Sequence, residues 1–142
     1  MATTRTATTQ WKGALLDGSG TVSLDSSGVG TFDVSWPSRA EKANGKTSPE
    51  ELIAAAHSSC FSMALSHGLA QAGTPPQSLE TQADVTFQPG EGITGIVISV
   101  RGQVEGLSAE EFQQAAETAK ANCPVSKALA GTTISLNAEL LS

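Results

Sequence analysis

The stretch Ser48-Pro49-Glu50-Glu51-Leu52-Ile53-Ala54-Ala55-Ala56-His57-Ser58-Ser59-Cys60-Phe61-Ser62-Met63-Ala64-Leu65 decides the fold, because it predicts one long helix. Ser48 is a good N-cap, Pro49 suits the first helical position, and Ser48 with Glu51 makes a capping box. Gly73 followed by Pro75-Pro76 ends it. The about 24 residues between these marks would span about 36 Å. No Asp, Glu, Lys or Arg occurs between Leu52 and Leu79, and apolar or small side chains occupy the whole circumference. Such a helix is expected to be buried on nearly all sides. One small domain struggles to cover it, so a partner subunit is expected. A membrane span is the rival expectation, but His57, His67, Gln71 and several serines make the segment weakly apolar for lipid.

Before the helix the chain reads as strands. Residues 9–16 and 21–25 flank Asp17-Gly18-Ser19-Gly20, a loop rich in hairpin residues. A third strand alternates Phe32, Val34 and Trp36 with Thr31, Asp33 and Ser35, and Pro37 ends it. Residues 38–47 have little apolar character and predict an exposed loop carrying Arg39, Glu41, Lys42 and Lys46. After the helix, Leu79, Thr81, Ala83, Val85 and Phe87 share one strand face, and Ile96, Ile98, Val100 and Val104 share another. Ser108 and Glu111 open a second helix with a capping box, and Phe112, Ala115, Ala116 and Ala119 form its narrow apolar stripe. A helical turn follows Cys123-Pro124, then a last strand with Ile134, Leu136, Ala138 and Leu140 inward. This order predicts an α+β fold with a mostly antiparallel sheet and helices on one face.

The chain of 142 residues is long enough for one well-buried domain, expected to span residues 1–142. With 39% hydrophobic and 15% charged residues, disorder is not expected. The net charge is −6, from 14 acidic against 8 basic residues. Without a Lys/Arg cluster, no nucleic-acid partner is expected. The amino terminus Met1-Ala2-Thr3-Thr4-Arg5-Thr6 lacks the apolar core of a secretory signal. A cytoplasmic location is therefore expected, where thiols are kept reduced and a permanent structural disulfide is disfavoured.

There are two cysteines, too far apart in sequence for a Cys-x-x-Cys pair. Cys60 lies inside the long helix, while Cys123 sits at a helix boundary in Ala121-Asn122-Cys123-Pro124-Val125-Ser126. A thiol becomes a nucleophile beside a cation or a helix start, and a second thiol closes a reversible cycle. Local backbone N–H groups favour a thiolate at Cys123, whereas Cys60 depends on an arginine. Of the three arginines, Arg5 lies in a terminus, Arg101 on a polar strand face, and Arg39 in the loop before the helix. Glu50 or Glu51 would hold Arg39 in orientation, although both also suit the positive end of a helix. Glu50 and Cys60 stand about 15 Å apart along one helix and about 80° apart around it. If both belong to one site, two subunits most simply supply them. His57, one turn before Cys60, reads as a packed neutral histidine or as a base for Cys60. The residues alone leave open which thiol attacks first.

The long-helix run, together with Asn122-Cys123-Pro124-Val125-Ser126, resembles the OsmC family (osmotically inducible protein C), whose relatives include the organic hydroperoxide resistance proteins. The resemblance extends to the early strand with Trp11, Gly13 and Gly20. It implies an OsmC-like fold and an intertwined homodimer with long central helices and two sites at the subunit interface. It also implies reduction of organic hydroperoxides with no cofactor, neither metal nor flavin. Cys60 corresponds to the peroxidatic cysteine, Cys123 to the resolving one, Glu50 to the glutamate that orients the arginine, and Arg39 to that arginine. A dithiol reductant is implied, with a lipoylated protein as the favoured donor. Phe61, Met63 and Trp36 are candidates for pocket surface or core. Other classes consistent with the residues are a Cys-His metal-binding module, a Cys-His hydrolase, and a non-enzymatic stress-response protein.

Overall fold

The computed structural model describes residues 1–141, which divide into two compact units at Leu52/Ile53. In the first unit β1 (Thr8–Lys12), β2 (Ser19–Ser23) and β3 (Thr31–Val34) form an antiparallel sheet in that order. Gly20 pairs with both Trp11 and Val34. A Cβ there would lie 2.8 Å from the Trp11 ring, so the glycine lets the indole close over the sheet.

The segment after β3 differs from expectation. Trp36 is not in the strand and Pro37 does not stop it; both lie in a one-turn helix, α1 (Trp36–Ala40), that also carries Arg39. Ser35 caps this turn. Its hydroxyl accepts from the Ser38 N–H, and the Ser38 hydroxyl accepts from the Ser35 N–H. Proline fits because its missing N–H falls among those a first turn leaves unpaired. The loop expected over residues 38–47 therefore begins as helix, and Ser38 is buried.

The long helix, α2 (Pro49–Gln71), starts and stops where its punctuation predicts. The capping box is half formed: Ser48 Oγ accepts from the Glu51 N–H, but the Glu51 carboxylate accepts from the Thr47 hydroxyl. The second unit holds most of α2, then β4 (Ser78–Gln88), β5 (Gly92–Gln103), α3 (Ala109–Asn122), α4 (Pro124–Ala128) and β6 (Ile134–Leu141). Its sheet runs β4-β5-β6. The β4–β5 pair is an antiparallel hairpin, as expected. β6 instead lies parallel to β5, because the chain returns through α3 and α4 as a crossover.

The core of this unit is built from three stripes. Phe61, Leu65 and Leu69 recur every fourth residue on α2; Ile96, Ile98 and Val100 alternate on β5; Phe112, Ala116 and Ala119 come from α3. Phe112 reaches the sheet because Gly102 faces it: a Cβ there would stand 2.7 Å from the ring. Ser108 and Glu111 form the predicted reciprocal cap of α3.

Burial of α2 on nearly all sides is not observed within one chain. His57, Phe61, Leu65 and Leu69 are buried, but Ala55, Ala56, Ser59, Met63, His67 and Ala70 are exposed, Met63 to 71%. An uncharged circumference marks no solvent face, and the core of one unit covers only one stripe of a 23-residue helix. Among the described residues no helix is long and apolar enough to cross a membrane.

Candidate active site

In the first unit Arg39 and Glu50 form a fork. Arg39 Nε donates to Glu50 Oε1 at 3.0 Å and Oε2 at 3.2 Å, and Nη2 donates to Oε2 at 2.9 Å. The capped turn of α1 presents the arginine, and the first turn of α2 presents the glutamate. Glu50 is buried and the Arg39 side chain is 30% exposed. A paired, planar guanidinium held through two of its nitrogens keeps a fixed direction, which a lone helix-end carboxylate would not explain. Trp36 supports it from one side, with its ring centroid 6.0 Å from the Arg39 guanidinium carbon. Trp36, Arg39, Val22, Val34 and Leu52 line a largely apolar cavity of about 370 Å3. Of the three pocket-or-core candidates, Trp36 lines this cavity, Phe61 is core and Met63 is exposed.

In the second unit the two thiols come together, although the chain separates them widely. α2 supplies Cys60, and Cys123 is the junction residue that ends α3 and caps α4. Both are free, near disulfide distance, with Cys60 half-buried and Cys123 fully buried. Burial pushes the Cys60 pKa up; the Val125 N–H works against this, and contact with Cys123 and its charge adds to the rise. Burial also opposes ionisation of Cys123, but polar contacts outweigh it. The Ser126 N–H, the Cys60 thiol, the Ser126 hydroxyl and the Val125 N–H together hold the Cys123 pKa below its ordinary value. Of the two thiols the buried one is therefore the more easily ionised and the half-buried one the more accessible.

His57 is also fully buried, and its Nε2 lies 2.8 Å from Ser126 Oγ. Burial lowers its pKa, so it is a neutral, hydrogen-bonded histidine directed at α4. His67 is exposed, its Nε2 3.4 Å from Gln71 Nε2. Ser126 was not legible as a site residue. Its one signal is its place three residues after Cys123, which puts its hydroxyl in the turn that Cys123 caps. Among the described residues no group of three or more His, Cys, Asp or Glu side chains converges as a metal site would require.

The family model described as OsmC-like protein matches residues 42–138, a span holding Glu50, both cysteines, His57 and Ser126. The chain belongs to the OsmC family. It is 43% identical over 122 residues to Peroxiredoxin OsmC of Escherichia coli (strain K12), covering 84% of this chain and 85% of that one. It is 35% identical over 112 residues to organic hydroperoxide resistance protein OhrA of Bacillus subtilis (strain 168), covering 76% and 79%. Its fold matches the crystal structure of an organic hydroperoxide resistance protein from Elizabethkingia anophelis with a TM-score of 0.70, 27% identity and coverage of 99% and 100%. The α+β architecture with a long helix is thus the OsmC architecture, and the paired thiols lie within the matched span.

Proposed function

We infer that this OsmC protein is a cysteine-based peroxidase that reduces organic hydroperoxides to alcohols in oxidative-stress defence. The observation that carries this is the contact between a half-buried thiol, Cys60, and a fully buried one, Cys123, whose pKa polar contacts hold below its ordinary value. The names of its relatives, a peroxiredoxin and an organic hydroperoxide resistance protein, agree with it.

Cys60 is the peroxidatic thiol in this proposal, because a peroxide meets the accessible sulfur before the sealed one. Cys60 gives up its proton and reacts as the thiolate, the form of a thiol that attacks a peroxide. The Cys60 thiolate attacks the terminal peroxide oxygen and the O–O bond breaks. The alkoxide leaves, takes up a proton and becomes the alcohol, and Cys60 becomes a sulfenic acid. The Cys123 sulfur then displaces the hydroxyl, forming the S–S bond, and its own proton leaves with that hydroxyl as water. A dithiol reductant, with a lipoylated protein as the favoured donor, reopens the disulfide by exchange. Arg39 supplies the fixed positive charge for the polarised peroxide, and Glu50 keeps its fork aimed. The uncharged exposed face of α2 is the proposed homodimer contact, which brings two copies of the machinery into one assembly. The setting is cytoplasmic, the compartment where reduced dithiols are supplied.

Peroxide consumption with a small dithiol tests the assignment. Cys60→Ser should abolish turnover, while Cys123→Ser should complete one oxidation and stall with sulfenic acid at Cys60. Full turnover in Cys60→Ser would refute it.

A further inference from the structure

One buried group has no part in that scheme. His57 contributes a ring to the core of the second unit, where a leucine would pack without a polar cost. It is retained with one nitrogen bonded to Ser126 Oγ at 2.8 Å and the other, Nδ1, without a hydrogen-bond partner among the described residues. The choice of tautomer follows. If the proton sat on Nδ1, a buried N–H would be orphaned; with the proton on Nε2, only a lone pair is. The Nε2–H therefore donates to Ser126 Oγ. That oxygen, having accepted, directs its own proton elsewhere, and the sulfur that its hydroxyl favours is Cys123. This tautomer, with the lowering that the Ser126 hydroxyl exerts on the Cys123 thiol, orders the groups from His57 N–H through Ser126 hydroxyl to Cys123 sulfur. His57 and Cys60, both on α2, are the titratable groups facing this sulfur, His57 through Ser126 and Cys60 directly.

We propose that His57 is a positioning residue for the resolving step, acting through Ser126 to hold the Cys123 sulfur in its nucleophilic form. This rests on Cys123 being the resolving thiol. As Cys123 attacks the Cys60 sulfenic acid, the S–S bond forms, the S–O bond breaks, and the thiol proton leaves with the hydroxyl as water. The sulfur carries negative charge during that transfer, and a polarised chain of two neutral donors steadies it. His57 does this without becoming charged, since burial disfavours its protonated form.

The test is thiolate absorbance of Cys123 against pH, with Cys60→Ser as the common background. Ser126→Ala and His57→Leu should each reduce the thiolate fraction at pH 7 about fivefold, the worth of one hydrogen bond. His57→Gln, which keeps an N–H near the Nε2 position, should restore most of it. A relay also predicts that the Ser126→Ala/His57→Leu double variant falls no further than Ser126→Ala alone, whereas independent structural effects would multiply. In the chain with both thiols, Ser126→Ala should lengthen the Cys60 sulfenic acid lifetime about fivefold by dimedone trapping. An unchanged titration in folded Ser126→Ala, or multiplying effects in the double variant, would overturn the proposal. Peroxide turnover persisting in Cys60→Ser would instead sink the assignment of Cys60 as the attacking thiol, while leaving the Cys123 titration to stand on its own.

Discussion

The Arg39–Glu50 fork and the Cys60–Cys123 pair solve opposite problems. The fork fixes a full positive charge with a full negative one, using residues eleven apart in the chain. The thiol pair eases ionisation of Cys123 with neutral donors only: backbone N–H groups, a hydroxyl and the other thiol. The difference suits their tasks. A permanent cation needs aim and nothing else, so a strong, static ion pair serves it. A redox thiol has to gain and lose charge within each cycle, and a rigid counter-ion would pin it in one state. Weak dipoles leave the proton free to move between two sulfurs.

Variants probe this contrast, with the largest effect expected at the accessible sulfur. Cys60→Ser should lower kcat/KM for an alkyl hydroperoxide by at least about 1,000-fold, since no other nucleophile meets the substrate. Activity within tenfold of wild type would show that access does not choose the attacking thiol. Arg39→Met should cost about 100-fold in kcat/KM, as loss of a charge-stabilising donor typically does. Arg39→Lys should recover little, because a point charge cannot reproduce a fork on Glu50; full recovery would mean that direction is unimportant.

How far these two regions were legible in the sequence follows the same line. Ser48-Pro49 and Ser108 with Glu111 mark helix starts by local chemistry, and both helices begin there. Glu50 reads as either a helix-end charge or a partner for Arg39; it pairs with Arg39 from the first turn of α2. The one-turn helix bearing Arg39 was missed because five residues carry no periodicity and Pro37 reads equally as a strand stop or a first-turn proline. His57 and Ser126 are 69 residues apart, and no local rule joins them. The uncharged circumference of α2 was visible, but sequence does not say whether its own chain or a second copy covers each side. The parallel β5–β6 pair follows from a crossover whose return direction local patterns leave open.

Glu50→Gln should act on both stability and catalysis, leaving Arg39 half-held: about 1–3 kcal/mol less stable in urea and about tenfold slower with peroxide. A stable Glu50→Gln of full activity would make the fork incidental. Met63→Glu, on the exposed face of α2, should leave monomers by sedimentation where the proposed homodimer contact would otherwise form, since a charge there would be buried against a second copy. An unshifted sedimentation coefficient would place the dimer contact elsewhere.

The smallest effect is a pH slope. Burial keeps the folded His57 pKa below its ordinary value of 6.5, so between these two values the unfolded chain binds a proton that the folded chain does not. Stability is therefore fully present above about pH 6.5 and declines as pH falls through that window, by at most about 1.4 kcal/mol per pH unit from this group. His57→Gln should flatten that part of the slope in urea titrations. An identical slope would mean that the buried ring is not the group titrating.

The reversible bond between Cys60 and Cys123 is the centre of the account, and intact mass after one equivalent of cumene hydroperoxide tests it most directly. The reduced chain should lose two hydrogens, about 2 Da, with one equivalent of alcohol released and the Cys60–Cys123 peptide link found on digestion. Cys123→Ser should instead gain about 16 Da at Cys60 for each oxygen added. Disulfide-linked pairs of chains as the main wild-type product, or a mass unchanged by the peroxide, would contradict it.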